Sequence, residues 1–183
     1  MKQWLRAATP YPLDESSMNS PTLVARRCER DDWLALKSIR LEALRDTPDA
    51  YGSLLAAALS FSENRWRLMS VYQGYFLVER NGDVVGMAAG GHHDERPGEH
   101  WLYSMYVTPS ARGGGLATAL VDAVVAWARG DGATALYLDV TTSLARARAF
   151  YRKMGFEPTG ERRVMERDPS IELVRMRRDL VTA

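Results

Sequence analysis

One cysteine in 183 residues, Cys28, is too few for an internal disulfide or a cysteine-built zinc site. No stretch approaches the roughly 18–20 consecutive apolar residues of a membrane span, so no membrane partner is expected. The first residues have no long apolar core of the kind that marks a secretory signal. An excess of one charge is missing as well. With 24 Lys plus Arg against 23 Asp plus Glu, there is no electrostatic reason to expect nucleic acid as a partner. Repeats and low-complexity runs are absent. These absences fit a reducing cytosol, and a cytoplasmic location is expected. What is present is ordinary for a folded domain. Hydrophobic residues make up 46% and charged residues 26%, enough for a sizeable core. Residues 1–21, with Pro10, Pro12 and Pro21 among small polar residues, read as an extension. Residues 22–183 read as a single domain.

Periodicity divides that domain. Leu23 to Cys28 reads as a short strand. Asp31 and Asp32 can cap a helix from Trp33 to Arg45, with Leu36, Ile39 and Ala43 on one face. Ser62 can cap a second short helix from Glu63 to Met69. Tyr75–Arg80 and Val84–Gly90 are strands around Asn81-Gly82, a hairpin signal. His92 to Glu99 reads as a polar loop, and Trp101–Val107 as a strand. A helix from Leu116 to Arg129 ends at Gly130-Asp131-Gly132. Thr134–Val140 is nearly all apolar, as in a strand buried on both faces. Thr142 or Ser143 caps a helix running to Met154. Glu157–Arg162 and Ile171–Arg177 are final strands. The order β-α-α-β-β-β-α-β-α-β-β implies an α/β fold with a mixed sheet.

Chemistry concentrates in Thr108-Pro-Ser-Ala-Arg112-Gly113-Gly114-Gly115-Leu116-Ala117-Thr118, between a strand and a helix. Glycines let the backbone turn tightly and approach a ligand closely. The helix N-terminus adds unpaired N–H groups and partial positive charge, making an anion cradle beside Arg112. A Walker loop is excluded because no Gly-Lys-Ser/Thr follows. A dinucleotide site competes, since Asp139 ends the next strand 24 residues after Gly115, near the place of that motif's ribose-binding acid. Thr118 replaces that motif's third glycine, however, and too few α/β units remain for a doubly wound sheet. Glycines that merely ease packing are the remaining alternative.

These residues resemble the GNAT superfamily of acyl-CoA-dependent N-acyltransferases. Its signature, Gln/Arg-x-x-Gly-x-Gly/Ala after a strand ending Val-x-Pro, stands here as Arg112-Gly-Gly-Gly115-Leu-Ala117 after Val107-Thr-Pro109. A second block stands as Leu144-Ala-Arg-Ala147-Arg-Ala-Phe150-Tyr151-Arg-Lys-Met-Gly155-Phe156. The stretch Leu44–Tyr51 is similar to the first-helix exit of many members. One departure is Leu144, where the family commonly has Asn. The resemblance implies a mixed, mostly antiparallel sheet of six to seven strands flanked by about four helices. It also implies acetyl-CoA as acyl donor, no metal, and leaves a homodimer open.

By that resemblance, main-chain groups near Met105, Tyr106 and Val107 would hold the pantetheine arm. Backbone N–H groups from Arg112 through Gly113, Gly114, Gly115, Leu116 and Ala117 to Thr118 would hold the pyrophosphate. Tyr151 matches the family's tyrosine near the thioester sulfur, a general acid also close to the cofactor. Phenol and thiol pKa values differ by only about 1.5. Helix periodicity alone makes Tyr151 a core aromatic beside Leu144, Ala147 and Met154, and the two readings are compatible. Some relatives carry a Glu where Trp101 stands. Ribosomal-protein N-terminal acetyltransferases carry one near Asp139, which could act as base or sit in an ion pair with Arg. Glu99, His100, His92 and His93 could pass a proton through water. The histidines fit no standard zinc spacing. Cys28 matches no nucleophile, so direct transfer is expected. Arg152 or Lys153 could meet the CoA 3′-phosphate, although a solvated surface explains most of this basic segment.

The acceptor is expected to be a small-molecule amine, with a protein or peptide N-terminus second. Trp33, Tyr51, Phe61, Trp66 and Tyr72 with Glu42, Asp46, Asp49 and Glu63 would suit a cationic amine, although core packing explains such aromatics too. A non-catalytic acyl-CoA-binding module and a nucleotide-dependent oxidoreductase are the rival classes.

Overall fold

Tyr75 to Val78 is buried at every position, and alternation sends the side chains to opposite faces of a sheet. Tyr75 and Leu77 join one core with Met87, Ala89, Leu36 and Trp66. Phe76 and Val78 join another with Ala88, Leu120, Val124 and Phe156. The sheet is therefore the middle of three layers. The computed structural model describes residues 24–72, 74–93 and 95–180. Residues 1–21, read above as an extension, lie outside the described residues.

The elements are β1 (Arg26–Arg27), α1 (Trp33–Asp46), α2 (Leu55–Leu59), α3 (Glu63–Tyr72), β2 (Tyr75–Arg80), β3 (Asp83–His93), β4 (Arg96–Val107), α4 (Leu116–Gly130), β5 (Ala135–Thr141), α5 (Ala145–Lys153), β6 (Glu157–Met165) and β7 (Asp168–Asp179). One seven-stranded sheet runs β1-β2-β3-β4-β5-β7-β6. Every neighbouring pair is antiparallel except β4 with β5. A mixed, mostly antiparallel sheet matches the expectation, with five α-helices among the described residues rather than about four. It also removes the dinucleotide alternative, which needs a doubly wound parallel sheet. No helix among the described residues is long and apolar enough to cross a membrane.

Several boundaries differ from those read in the sequence. His92 to Glu99 is not a loop, because β3 and β4 continue as a long hairpin. His92 pairs with His100 across it. Both imidazoles pack on Trp127 of α4, at ring separations of 5.8 and 5.4 Å. The helix after β5 starts later than expected: Leu144 is its N-cap, with no side-chain hydrogen bond from Thr142 or Ser143. Ser62 does cap α3, accepting from the Arg65 N–H at 3.3 Å. α2, not expected from the sequence, is a five-residue turn of helix with no side-chain cap.

Candidate active site

The sheet opens at its one parallel pair. β4 and β5 are in register only at His100 with Leu136 and Trp101 with Tyr137. Beyond those residues the strands run on without pairing, leaving a gap between the C-terminal halves of both. A β-bulge lies on the β4 side, where Met87 faces Tyr106 but Ala89 faces Tyr103. The extra residue falls at Ser104, held at φ +54°, a left-handed conformation uncommon for a non-glycine residue. A cavity of about 1500 Å³ opens here. Its wall includes Ser104, Met105, Leu138, Asp139, Leu144 and Tyr151.

The glycine loop continues directly from the open end of β4. Gly113 and Gly115 adopt φ +87° and +81°, and Gly115 is the N-cap of α4. The first intrahelical bond runs from the Ala119 N–H to the Gly115 carbonyl. The N–H groups of Gly113, Gly114, Gly115, Leu116, Ala117 and Thr118 therefore have no acceptor among the described residues. The Arg112 N–H, expected to join them, already donates to the Pro109 carbonyl at 3.3 Å. The Arg112 side chain is folded back. Its Nε donates to the Val107 carbonyl at 2.9 Å and its Nη2 to Asp46 at 2.6 Å. Arg80, unremarked in the sequence, reaches the loop and donates to the Ala111 carbonyl at 3.3 Å. A Cβ on Gly114 would lie 2.6 Å from the Arg80 guanidinium.

Tyr151 projects from α5 into the wall of the cavity, 9% exposed. Its ring packs against Phe150 and Phe156 at 5.5 and 5.9 Å. Its hydroxyl has no hydrogen-bond partner among the described residues. Burial pushes the phenol above its ordinary pKa, so it stays protonated at neutral pH. Tyr51 is likewise raised by burial, and its hydroxyl donates to the Met105 carbonyl at 2.9 Å. The carbonyls of Met105 and Val107, in the stretch expected to hold the pantetheine arm, thus already accept one side-chain hydrogen bond each.

Asp139 matches the ion-pair alternative. Arg163 Nε lies 2.7 Å from Oδ2, without hydrogen-bond geometry. Arg175, 4% exposed, approaches Oδ1 at 3.4 Å and binds Glu161 at 2.6 Å. Trp101 is buried beneath Arg175, and its indole N–H donates to Glu99 at 3.1 Å. Cys28 is buried, and desolvation pushes its thiol up to about 12. His92 and His100 both direct Nε2 at Asp131 Oδ2, at 3.1 and 2.8 Å. The Asp131 carboxylate thus bridges the two imidazoles.

The acids expected to greet a cationic amine do not line the cavity. Glu42 accepts from the Tyr106 and Thr108 hydroxyls. Asp46 pairs with Arg112, Asp49 approaches Arg167 at 3.7 Å, and Glu63 pairs with Arg67 at 2.8 Å. Tyr51, Phe61, Trp66 and Tyr72 do line it, whereas Trp33 does not. Arg152 and Lys153 are exposed on the last turn of α5.

Comparison with known proteins agrees with this geometry. The model of the acetyltransferase (GNAT) family matches residues 36–156. An uncharacterized N-acetyltransferase of Mycobacterium tuberculosis is 32% identical over 115 residues, covering 63% of this chain and 72% of that protein. The N-alpha-acetyltransferase RimI of the same organism is 29% identical over 133 residues, covering 68% and 82%. Among solved structures, the yncA acetyltransferase of Salmonella typhimurium with acetyl-CoA superimposes with a TM-score of 0.71 at 20% identity. The match covers 88% of this chain and 95% of that one, and shows a shared fold.

Proposed function

This chain belongs to the GNAT family of acetyltransferases and is an acetyl-CoA-dependent acyltransferase; from that premise we propose that it acetylates the primary amine of a small molecule by direct transfer. The observation that carries the reading is the row of six N–H groups without an acceptor among the described residues, on the loop that follows the open end of β4. They suit a pyrophosphate, because a helix N-terminus and left-handed glycines aim donors at one point. On the side facing β5, the main chain of β4 from the bulge to Val107 pairs with no strand, which suits an extended arm with amide groups that would add to the sheet as a strand does.

Acetyl-CoA supplies an activated thioester whose acyl carbon the neutral amine attacks. A β4 N–H at the bulge polarises the carbonyl. Tyr151, kept protonated by burial, donates its phenol proton to the departing sulfur. The amine's proton leaves through water, since Arg163 and Arg175 already engage Asp139. No acyl-enzyme forms, and the buried Cys28 stays out of the reaction.

The test is acetyl-CoA titration of the wild type and of Gly115→Arg by calorimetry. The arginine side chain would enter the cradle and force a non-glycine residue into the left-handed region. Affinity should fall at least about tenfold, or about 1.4 kcal/mol, while the protein stays folded. Unchanged affinity would sink the cradle. RimI's similarity supports a second reading, a peptide N-terminus as acceptor.

A further inference from the structure

We propose that the acceptor amine carries a carboxylate and that Arg40 binds it; the inference rests on the acetyl-transfer reading above. Leu36, Arg40 and Leu44 follow one another at four-residue spacing along α1, so Arg40 stands in the apolar stripe facing the sheet. It is 7% exposed. A guanidinium so deeply desolvated normally has a carboxylate beside it, because an unpaired buried charge is costly. Arg175, buried to the same degree, has two. Arg40 has none within 4.0 Å among the described residues. Its partners are neutral: Ser104 Oγ at 3.3 Å, Ser53 Oγ at 3.2 Å, and the face of the Tyr51 ring at 4.8 Å. Two of its five N–H donors are used, and the residue lines the cavity.

Position makes the open charge useful. Ser104 is the bulge residue of β4, next to Met105, where the reading above puts the thioester. An anion on Arg40 and an amine at the acyl carbon would be joined by a short linker. Five arginines line the cavity against three acids, Glu95, Asp139 and Glu166, so its wall is positive on balance. Asp139 is held by two arginines, while Arg27 and Arg65 have no carboxylate within 4.0 Å among the described residues. The planar fork of arginine accepts a carboxylate in two parallel hydrogen bonds, which gives orientation as well as affinity. The acceptor class is therefore an amino acid or a related small amino carboxylate.

The experiment uses matched pairs: α-, β- and γ-amino acids against amines lacking only the carboxylate, with amino acid amides as neutral mimics of a peptide N-terminus. CoA release is followed for the wild type, Arg40→Lys and Arg40→Gln. The wild type should favour the carboxylate member in kcat/KM by on the order of 10- to 100-fold. Arg40→Gln should erase that preference mainly through KM, with acetyl-CoA affinity unchanged, and Arg40→Lys should keep part of it. Equal use of both members, or preference for the amides, would overturn the proposal. Loss of all activity together with acetyl-CoA binding would do so too, since it would mark Arg40 as a support of the bulge alone. A second readout needs no turnover. N-acetyl amino acids should raise the melting temperature of the CoA-loaded wild type and leave Arg40→Gln unmoved. Equal shifts in both proteins would overturn the anion site. Absence of CoA release with every amine would count against acetyl transfer instead, leaving the melting shifts to decide on Arg40.

Discussion

Replacing Tyr151 with phenylalanine removes one oxygen and little else, which makes it the sharpest probe of the chemistry. The ring is held by Phe150 and Phe156 and by the surrounding core, none of which touches the hydroxyl's role. Because the hydroxyl has no partner among the described residues, its removal leaves no orphaned donor or acceptor among them. The stability change should stay within about 0.5 kcal/mol. Truncation to alanine, by contrast, should cost about 3–5 kcal/mol as a buried cavity opens. The catalytic effect of the phenylalanine should be large. Loss of a general acid lowers turnover by about 10²–10⁴-fold, or about 2.7–5.4 kcal/mol of transition-state stabilisation. Thermal unfolding, acetyl-CoA titration and initial rates of CoA release measure the three quantities separately. Tyr151→Phe should show a near-normal melting temperature, near-normal affinity and a collapsed kcat. A Tyr151→Phe enzyme that kept its kcat within about threefold would remove Tyr151 from the proton path.

Other expectations follow from particular contacts. In Gly90→Ala, the new Cβ would lie 2.4 Å from a Trp127 ring carbon, so overpacking should cost about 1–3 kcal/mol in denaturant melts. Cys28, buried and with its thiol pushed up to about 12, should resist a thiol reagent in the native protein and react once in denaturant. Asp46 has its pKa lowered chiefly by the hydrogen bond from Arg112. Its contribution is therefore present above the ordinary carboxylate value near 4 and is lost as pH falls through the lower folded value. The stability gap between wild type and Asp46→Asn should be small, because the pair is partly exposed, and should close on acidification.

The parts of this molecule that were legible in the sequence are those fixed by local rules. The glycine loop, the apolar face of α4 and the Asn81-Gly82 hairpin each need only backbone preferences and periodicity. The hairpin extension through His92 and His100 was not legible. Its polar residues read as loop because the contacts that order them, with Trp127 and Asp131, come from α4. Three of the acids in the acceptor reading, Glu42, Asp46 and Asp49, failed for a similar reason, since their arginine and hydroxyl partners lie far away in the chain. Arg40 could have been seen. A charged residue four positions from Leu36 and four from Leu44 breaks an otherwise apolar stripe, and that break was the available signal. Its lack of a carboxylate needed the tertiary structure.

The most direct test of the central claim is a crystal structure with bound CoA. The pyrophosphate should lie within hydrogen-bond distance of the N–H groups from Gly113 to Thr118. The pantetheine arm should lie in the gap between β4 and β5, with its sulfur beside the Tyr151 hydroxyl. A ligand bound elsewhere, with β4 and β5 still unbridged and the six N–H groups facing water, would contradict it.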